Sequence, residues 1–191
     1  MRRLPERRSD ETRAALLSSF ASLVFQDGFE NVSVQRIVAG AGTARSTFYE
    51  HFGGKEDILR ASMAPFFATF ADCVSSENRP DHLGKVLDHM WENRRLTDAI
   101  FSGASRLILA RNLSEMVEAR LRELHAGAQL TLPYRLGAIM IADAQMALVE
   151  SWLRGRAFAR HEDVGAALHD SSRALARALA RTGVGRKGSA S

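Results

Sequence analysis

Apolar residues recur along this chain at spacings of three and four, and over no useful length do they alternate with a period of two. That pattern predicts an all-α protein without a sheet. Leu16, Leu17, Phe20, Leu23 and Val24 mark one face of a first helix over about residues 9–26, which Gly28 stops. Ser33 is a good N-cap for a second, whose apolar face is Val34, Ile37, Val38 and Ala41. Ala41-Gly42-Thr43 supplies a break, Gly42 being suited to positive φ, and Thr43 can cap a third helix over 44–52. A fourth helix starts near Lys55, and Pro80 opens a fifth that runs to about Arg94. Helices are further expected over 96–102, 104–110, 113–125, 132–154 and 161–181, with a disordered tail over 183–191. There is no internal repeat.

The stretch 33–56, SVQRIVAGAGTARSTFYEHFGGKE, thus reads as two short helices joined by a tight glycine turn. This is the layout of a helix-turn-helix, whose second helix enters the DNA major groove while the first braces it across the backbone. Phe48 and Phe52, four apart, can point to the core, which leaves Arg45, Ser46, Thr47 and Tyr49 on the other sides. Arg45, with its two-pronged guanidinium, is the best candidate for a guanine edge, and Ser46 and Thr47 can reach bases or phosphates. Lys55 sits at the start of the fourth helix, where backbone N–H groups and the helix dipole attract phosphate.

Several residues make the stretch resemble the DNA-binding domain of the tetracycline-repressor (TetR) family of bacterial regulators. They are Thr12-Arg13, Phe25-Gln26-Asp27-Gly28-Phe29, Ser33-Val34, Ile37 and Ala41-Gly42, then Thr47 to Phe52 as TFYEHF, and Lys55 to Leu59 as KEDIL. They cover about the first third of the chain, and TFYEHF followed two residues later by KED is far more specific than a generic helix-turn-helix pattern. Two departures stand out: Ala44 where the family often has Ser, and Ser46 where it often has Gly. The resemblance implies that Tyr49, His51 and Lys55 clamp phosphates, that Val34 and Gln35 approach the backbone, and that Thr43 belongs to the same surface. It also implies a dimer on a pseudo-palindromic operator and a small-molecule inducer that weakens DNA binding. Residues 1–54 would form the DNA-binding domain and 55–182 a helical ligand-binding and dimerisation domain, the fourth helix belonging to both.

Composition adds less than placement. The 191 residues carry a formal net charge of +4, which favours a polyanionic partner only mildly. Residues 1–60 hold nine basic and eight acidic side chains, so bulk charge does not single out the DNA-binding part. Arg2, Arg3, Arg7 and Arg8 read as a basic arm ahead of the first helix, and Arg45, His51 and Lys55 surround the third. No apolar run of 18 or more residues and no secretory leader is apparent, which predicts a cytoplasmic protein without a membrane partner. The single cysteine, Cys73, excludes a disulfide framework within one chain, and its neighbours FFATFADCV predict a buried, inert thiol.

Helix 132–154 has an apolar arc wider than one packing contact uses, with Ile141, Leu148 and Trp152 on one side. The last helix has its own stripe, including Leu168 and Leu175. Two such helices can pack inward on their own core and outward on a symmetry mate, giving a four-helix homodimer seam with Ile141, Leu148, Trp152, Leu168 and Leu175 in it. Phe66, Phe67, Phe70, His89, Met90, Trp91, Phe101, Arg106, Met116 and Met140 are candidates for lining an effector cavity, although aromatic and Met residues at helical spacing also make plain core. Pro65, inside the fourth helix, removes a backbone hydrogen bond and predicts a kink or break that can couple such a cavity to the DNA-binding end.

Enzymatic motifs are weak. Gly40-Ala41-Gly42 has no preceding strand and lacks the rest of a phosphate loop. His82 and His89 lie seven apart on one helix with nothing at ligand spacing to complete a metal site, and no Ser or Cys stands in a nucleophile motif. No catalytic residue, metal or cofactor is therefore expected. Two readings remain: a ligand-responsive dimeric regulator, repressor more than activator, and a helical small-molecule-binding or enzyme module with a vestigial helix-turn-helix. They differ in whether Arg45, Thr47, Tyr49, His51 and Lys55 meet DNA.

Overall fold

The computed structural model describes residues 4–128 and 130–180, with side chains from Arg7 onward. Among them the chain is helical throughout: α1 (Leu4–Asp27), α2 (Val34–Ala41), α3 (Arg45–His51), α4 (Lys55–Ser75), α5 (Leu83–Glu92), α6 (Arg94–Ile100), α7 (Gly103–Leu124), α8 (Tyr134–Leu153) and α9 (His161–Leu179). A 3-10 turn at Phe29–Asn31 links α1 to α2, and one isolated antiparallel bridge joins Leu130 to Ala180. The expected basic arm at Arg2 and Arg3 and the tail over 183–191 lie outside the described residues.

Several expected boundaries move. Arg7 and Arg8 belong to α1 itself, which begins at Leu4, so they form no separate arm. The expected pieces 104–110 and 113–125 are one helix, α7, because Arg111 and Asn112 face outward or partly outward while Leu109, Leu113 and Val117 continue one buried face. α5 starts at Leu83, three residues after Pro80. α4 runs unbroken across the exposed Pro65, with Ser62 Oγ donating to the Leu59 carbonyl (2.7 Å) and Thr69 Oγ1 to the Pro65 carbonyl (3.1 Å) on either side. The expected break does not occur there.

α1, α2 and α3 pack around Leu16, Phe20, Val24, Ile37, Phe48 and Phe52, all within 2% of full burial. The remaining helices form the body, in which α7 packs on α4 and α8, and α9 on α4, α5 and α8. Phe67 and Phe70 of α4 and Phe101 after α6 fill its centre, with ring centroids 6.2 and 6.4 Å apart. Gln145 ties three helices together, its Nε2 donating to the Phe70 carbonyl and to Ser172 Oγ, each at 2.8 Å. α8 meets α9 at Gly137, where a Cβ would lie 2.5 Å from Leu179 Cδ1. Of the described helices α8 alone is long and apolar enough to cross a membrane, at a mean hydropathy of 1.3. About half of that stretch is buried inside the protein, and it carries Asp143 and Glu150, which accounts for its apolar character as that of a core helix.

Cys73 is fully buried, with Sγ 3.4 Å from the Thr69 carbonyl, and burial, helped by the charge of Asp72, pushes its pKa up to about 12. The native thiol therefore stays protonated and inert near neutral pH. Iodoacetamide at pH 8 should label the native protein at least about a hundredfold more slowly than the urea-unfolded chain. Equal labelling rates would contradict this burial.

Candidate nucleic-acid interface

α2 begins where Ser33, with extended backbone, accepts the Arg36 N–H on its hydroxyl (3.3 Å). It ends at Gly42, held at φ 63°, where the N–H groups of Gly42 and Thr43 donate back to the carbonyls of Ala39 (3.3 Å) and Val38 (3.0 Å). This is a Schellman closure, and a side chain at 42 would be strained in that left-handed conformation. Ser19 Oγ of α1 donates to the Ile37 carbonyl (2.9 Å) and fixes α2 on α1. The N-cap of α3 is Ala44 rather than Thr43, and it makes no side-chain cap. Thr43 instead buries its hydroxyl with no partner among the described residues.

α3 is oriented by its aromatic side. Phe48 is fully buried, packing against Phe52 at 5.7 Å and edge-on to Tyr49 at 5.4 Å. The opposite side presents Arg45, Ser46, Tyr49 and Glu50, all exposed, with Thr47 and His51 half-buried. The Arg45 guanidinium lies 5.7 Å from the Tyr49 ring centroid and donates to its hydroxyl at 3.4 Å, which pre-aligns the two side chains. Val34 is half-buried at the start of α2 and Gln35 is exposed beside it. Between α3 and the start of α1 lies an open hollow lined by Arg8, Ser9, Thr12, Thr43, Thr47 and His51, with the Glu50 carboxylate at its wall as well. Its hydroxyls, a guanidinium and an imidazole are groups that phosphate accepts from, and the orphaned Thr43 hydroxyl belongs to it.

Lys55 departs from its expected role. Its Nζ donates to the carbonyls of Phe29 (3.2 Å) and Glu30 (3.3 Å) and sits 4.4 Å from the Phe29 ring centroid. It staples the 3-10 turn to α4, leaving one N–H for any other acceptor. The phosphate niche expected at the start of α4 is also partly filled, since Asp57 accepts the Gly53 N–H at 2.9 Å. Arg36, which the sequence pattern did not single out, is spent on Asp27 and on the Asn31 carbonyl.

The other expected sites are rearranged. Phe67, Phe70 and Phe101 are fully buried and pack ring against ring in the core. Trp91 stacks on Trp152 at 4.9 Å, and Arg106 pairs with the nearly buried Glu150 at 2.8 Å. Phe66, His89 and Met90 do line a cavity, together with Arg13 and Leu17 of α1, which no local pattern assigns to it. Met140 is exposed on α8 beside Leu136 and Ile139, and Met116 is half-buried against the core. Ile141, Trp152 and Leu168 are buried within the chain and have no surface for a second copy, whereas Leu148 and Leu175 are half-buried. The breadth of the α8 arc was visible in the sequence, but which part of it faces inward was not.

Residues 16–62 match the family of bacterial regulatory proteins, tetR family. Solved structures with this arrangement include a TetR transcriptional regulator from Streptococcus agalactiae 2603V, 21% identical with a TM-score of 0.54, covering 89% of this chain and 98% of that one. Another is NalD of Pseudomonas aeruginosa, secondary repressor of the MexAB-OprM multidrug efflux pump, 20% identical with a TM-score of 0.52, covering 91% of this chain and 98% of that one. At these identities the likeness establishes the fold. No curated protein matches the sequence.

Proposed function

We propose that this chain, whose residues 16–62 match the tetR family of bacterial regulatory proteins and whose fold is that of solved TetR regulators, is a ligand-responsive repressor binding a pseudo-palindromic operator as a homodimer. The observation that carries the reading is the exposed Arg45–Ser46–Tyr49 face of α3, mounted on the buried Phe48 and Phe52. In this reading residues 1–54 read DNA and 55–182 dimerise and bind the effector. Arg45 and Ser46 meet base edges, while Thr43, Thr47, Tyr49, His51 and the Val34–Gln35 end of α2 meet the backbone. Lys55 acts first by holding the turn before α2 and adds at most one phosphate contact. Repression follows from occupancy, because a dimer over a promoter excludes the polymerase, and NalD, of the same fold, is a repressor.

The second copy docks on the face that α8 leaves uncovered. Leu136, Ile139 and Met140 are 50%, 37% and 38% exposed there. The small exposed residues Ala167, Ala174 and Ala178 of α9 permit close approach of a second pair of helices, making a bundle across a two-fold axis. That arrangement places two copies of α3 to read half-sites about one helical turn or a multiple apart.

The test is selection of genomic fragments by the purified protein, followed by titration of the selected duplex. Arg45→Ala should weaken specific binding by about 1–3 kcal/mol and relax preference at one base pair per half-site, with unchanged thermal stability. Failure to select any fragment at low salt would remove the regulator reading, as would an Arg45→Ala variant with unaltered specificity remove this placement of α3.

A further inference from the structure

The interior of the body is filled by Phe67, Phe70 and Phe101, but a cavity of about 370 Å³ lies where α1 of the DNA-binding domain meets α4, α5 and α6. That size is at the small end of ligand pockets, which span about 300–1,000 Å³. Most of its wall is apolar, with Leu17, Phe66, Met90 and Ile100 prominent. Phe66 and His89 present stacked rings, 5.5 Å apart and 24° from parallel. Much of the remaining polarity is already satisfied locally: Ser62 Oγ donates to the Leu59 carbonyl, Asn93 Nδ2 to the His89 carbonyl and Thr97 Oγ1 to the Asn93 carbonyl.

The charge of the wall is one-sided. No acidic side chain lines the cavity, and Arg13 carries the one full positive charge. Among the described residues its guanidinium is in no ion pair and lies 5.4 Å from the Phe52 ring centroid. Phe52 ends the recognition helix and packs on Phe48. An anion in the cavity would compete with that ring for the same guanidinium, since an ionic hydrogen bond outweighs an exposed cation–π contact.

We propose that this junction binds a small, flat, apolar molecule bearing one anionic group, such as an aromatic carboxylate, with its ring beside Phe66 and His89 and its anion on Arg13. Occupancy draws Arg13 from Phe52 and props α1 away from α4 and α6, which shifts the recognition helix relative to the body. This second half rests on the regulator reading. The wedge acts because ligand and operator favour different separations of the same helices, and coupling of this kind changes affinity by about 5–150-fold.

The test titrates three probes of one size, 2-naphthoate, 2-naphthylmethanol and 2-naphthylmethylammonium, into the full-length protein by calorimetry. The expected result is saturable binding of one naphthoate per chain, with the ammonium probe at least about tenfold weaker. Arg13→Gln should weaken naphthoate by about tenfold and leave the alcohol within about twofold. Ala61→Leu, which fills the cavity, should abolish binding of both. Should Ala61→Leu fail to fold, the Arg13→Gln pattern decides alone. Equal affinity for anion and cation, or naphthoate binding indifferent to Arg13→Gln, overturns the site. If naphthoate binds as described but leaves affinity for the selected operator unchanged, the coupling is overturned while the site stands. A protein that binds naphthoate but selects no DNA overturns the regulator reading instead.

Discussion

Phe48→Ala should cost about 3–5 kcal/mol of stability and abolish operator binding in the same step. α3 has only seven residues and no side-chain cap at Ala44, too short to hold itself helical in water. What keeps it helical and correctly turned is the burial of one ring: Phe48 is fully enclosed, with Phe52 at 5.7 Å and Tyr49 at 5.4 Å. Removing that ring leaves a cavity under the exposed Arg45–Ser46–Tyr49 side of α3. The measurement is a pair of curves, thermal unfolding by circular dichroism and operator titration well below the melting temperature. Arg45→Ala is the control, since it should lose specificity with the melt unchanged. Full operator affinity in a destabilised Phe48→Ala protein would show that packing beneath α3 does not position it.

Leu136→Asp combined with Met140→Asp should convert the proposed dimer to monomers at micromolar concentration. Both residues lie on the uncovered face of α8, one helical turn apart, and are 50% and 38% exposed in the single chain. Across a two-fold axis the pair brings four like charges into an apolar seam, and none would find a partner. Affinity for the full operator should fall by about 10²–10⁴, because binding of the second half-site ceases to be intramolecular. Trp152→Ala has a different consequence. Trp152 is 4% exposed, stacks on Trp91 at 4.9 Å and donates its indole N–H to the Ala159 carbonyl at 3.2 Å. Its loss should destabilise the fold by about 3–5 kcal/mol, with association altered only as a consequence. Sedimentation showing wild type as a stable monomer, or the double variant as an intact dimer, would refute the α8 seam.

Where a local rule decides, the amino-acid order was sufficient. Ser33 as a cap, Gly42 at positive φ and the Phe48–Phe52 spacing settle α2, the turn and α3, because capping, left-handed backbone and helical period act within a few residues. The same locality made the TFYEHF segment readable as the second helix of a helix-turn-helix, and the apolar context of Cys73 readable as burial.

Periodicity gives a helix an apolar arc but not the neighbour that will cover it. α8 carries such an arc around more than half its circumference, and only packing against α7 and α9 decides that Ile141 and Trp152 turn inward while Leu136 and Met140 stay uncovered. Lys55 looked free to meet phosphate until the fold brought the Phe29 and Glu30 carbonyls, 26 and 25 residues earlier, within reach of its ammonium. The cavity at the junction is set in the same way, since Arg13 and His89 line one hollow only because α1 packs against α4 and α6. The sequence by itself determined the helical class, the α2–turn–α3 unit and the exposed polar side of α3, all products of short-range backbone and side-chain preferences. Tertiary structure decided which apolar faces are spent inside, which cations are already engaged and where space for a ligand remains, because these depend on contacts between residues far apart in the chain.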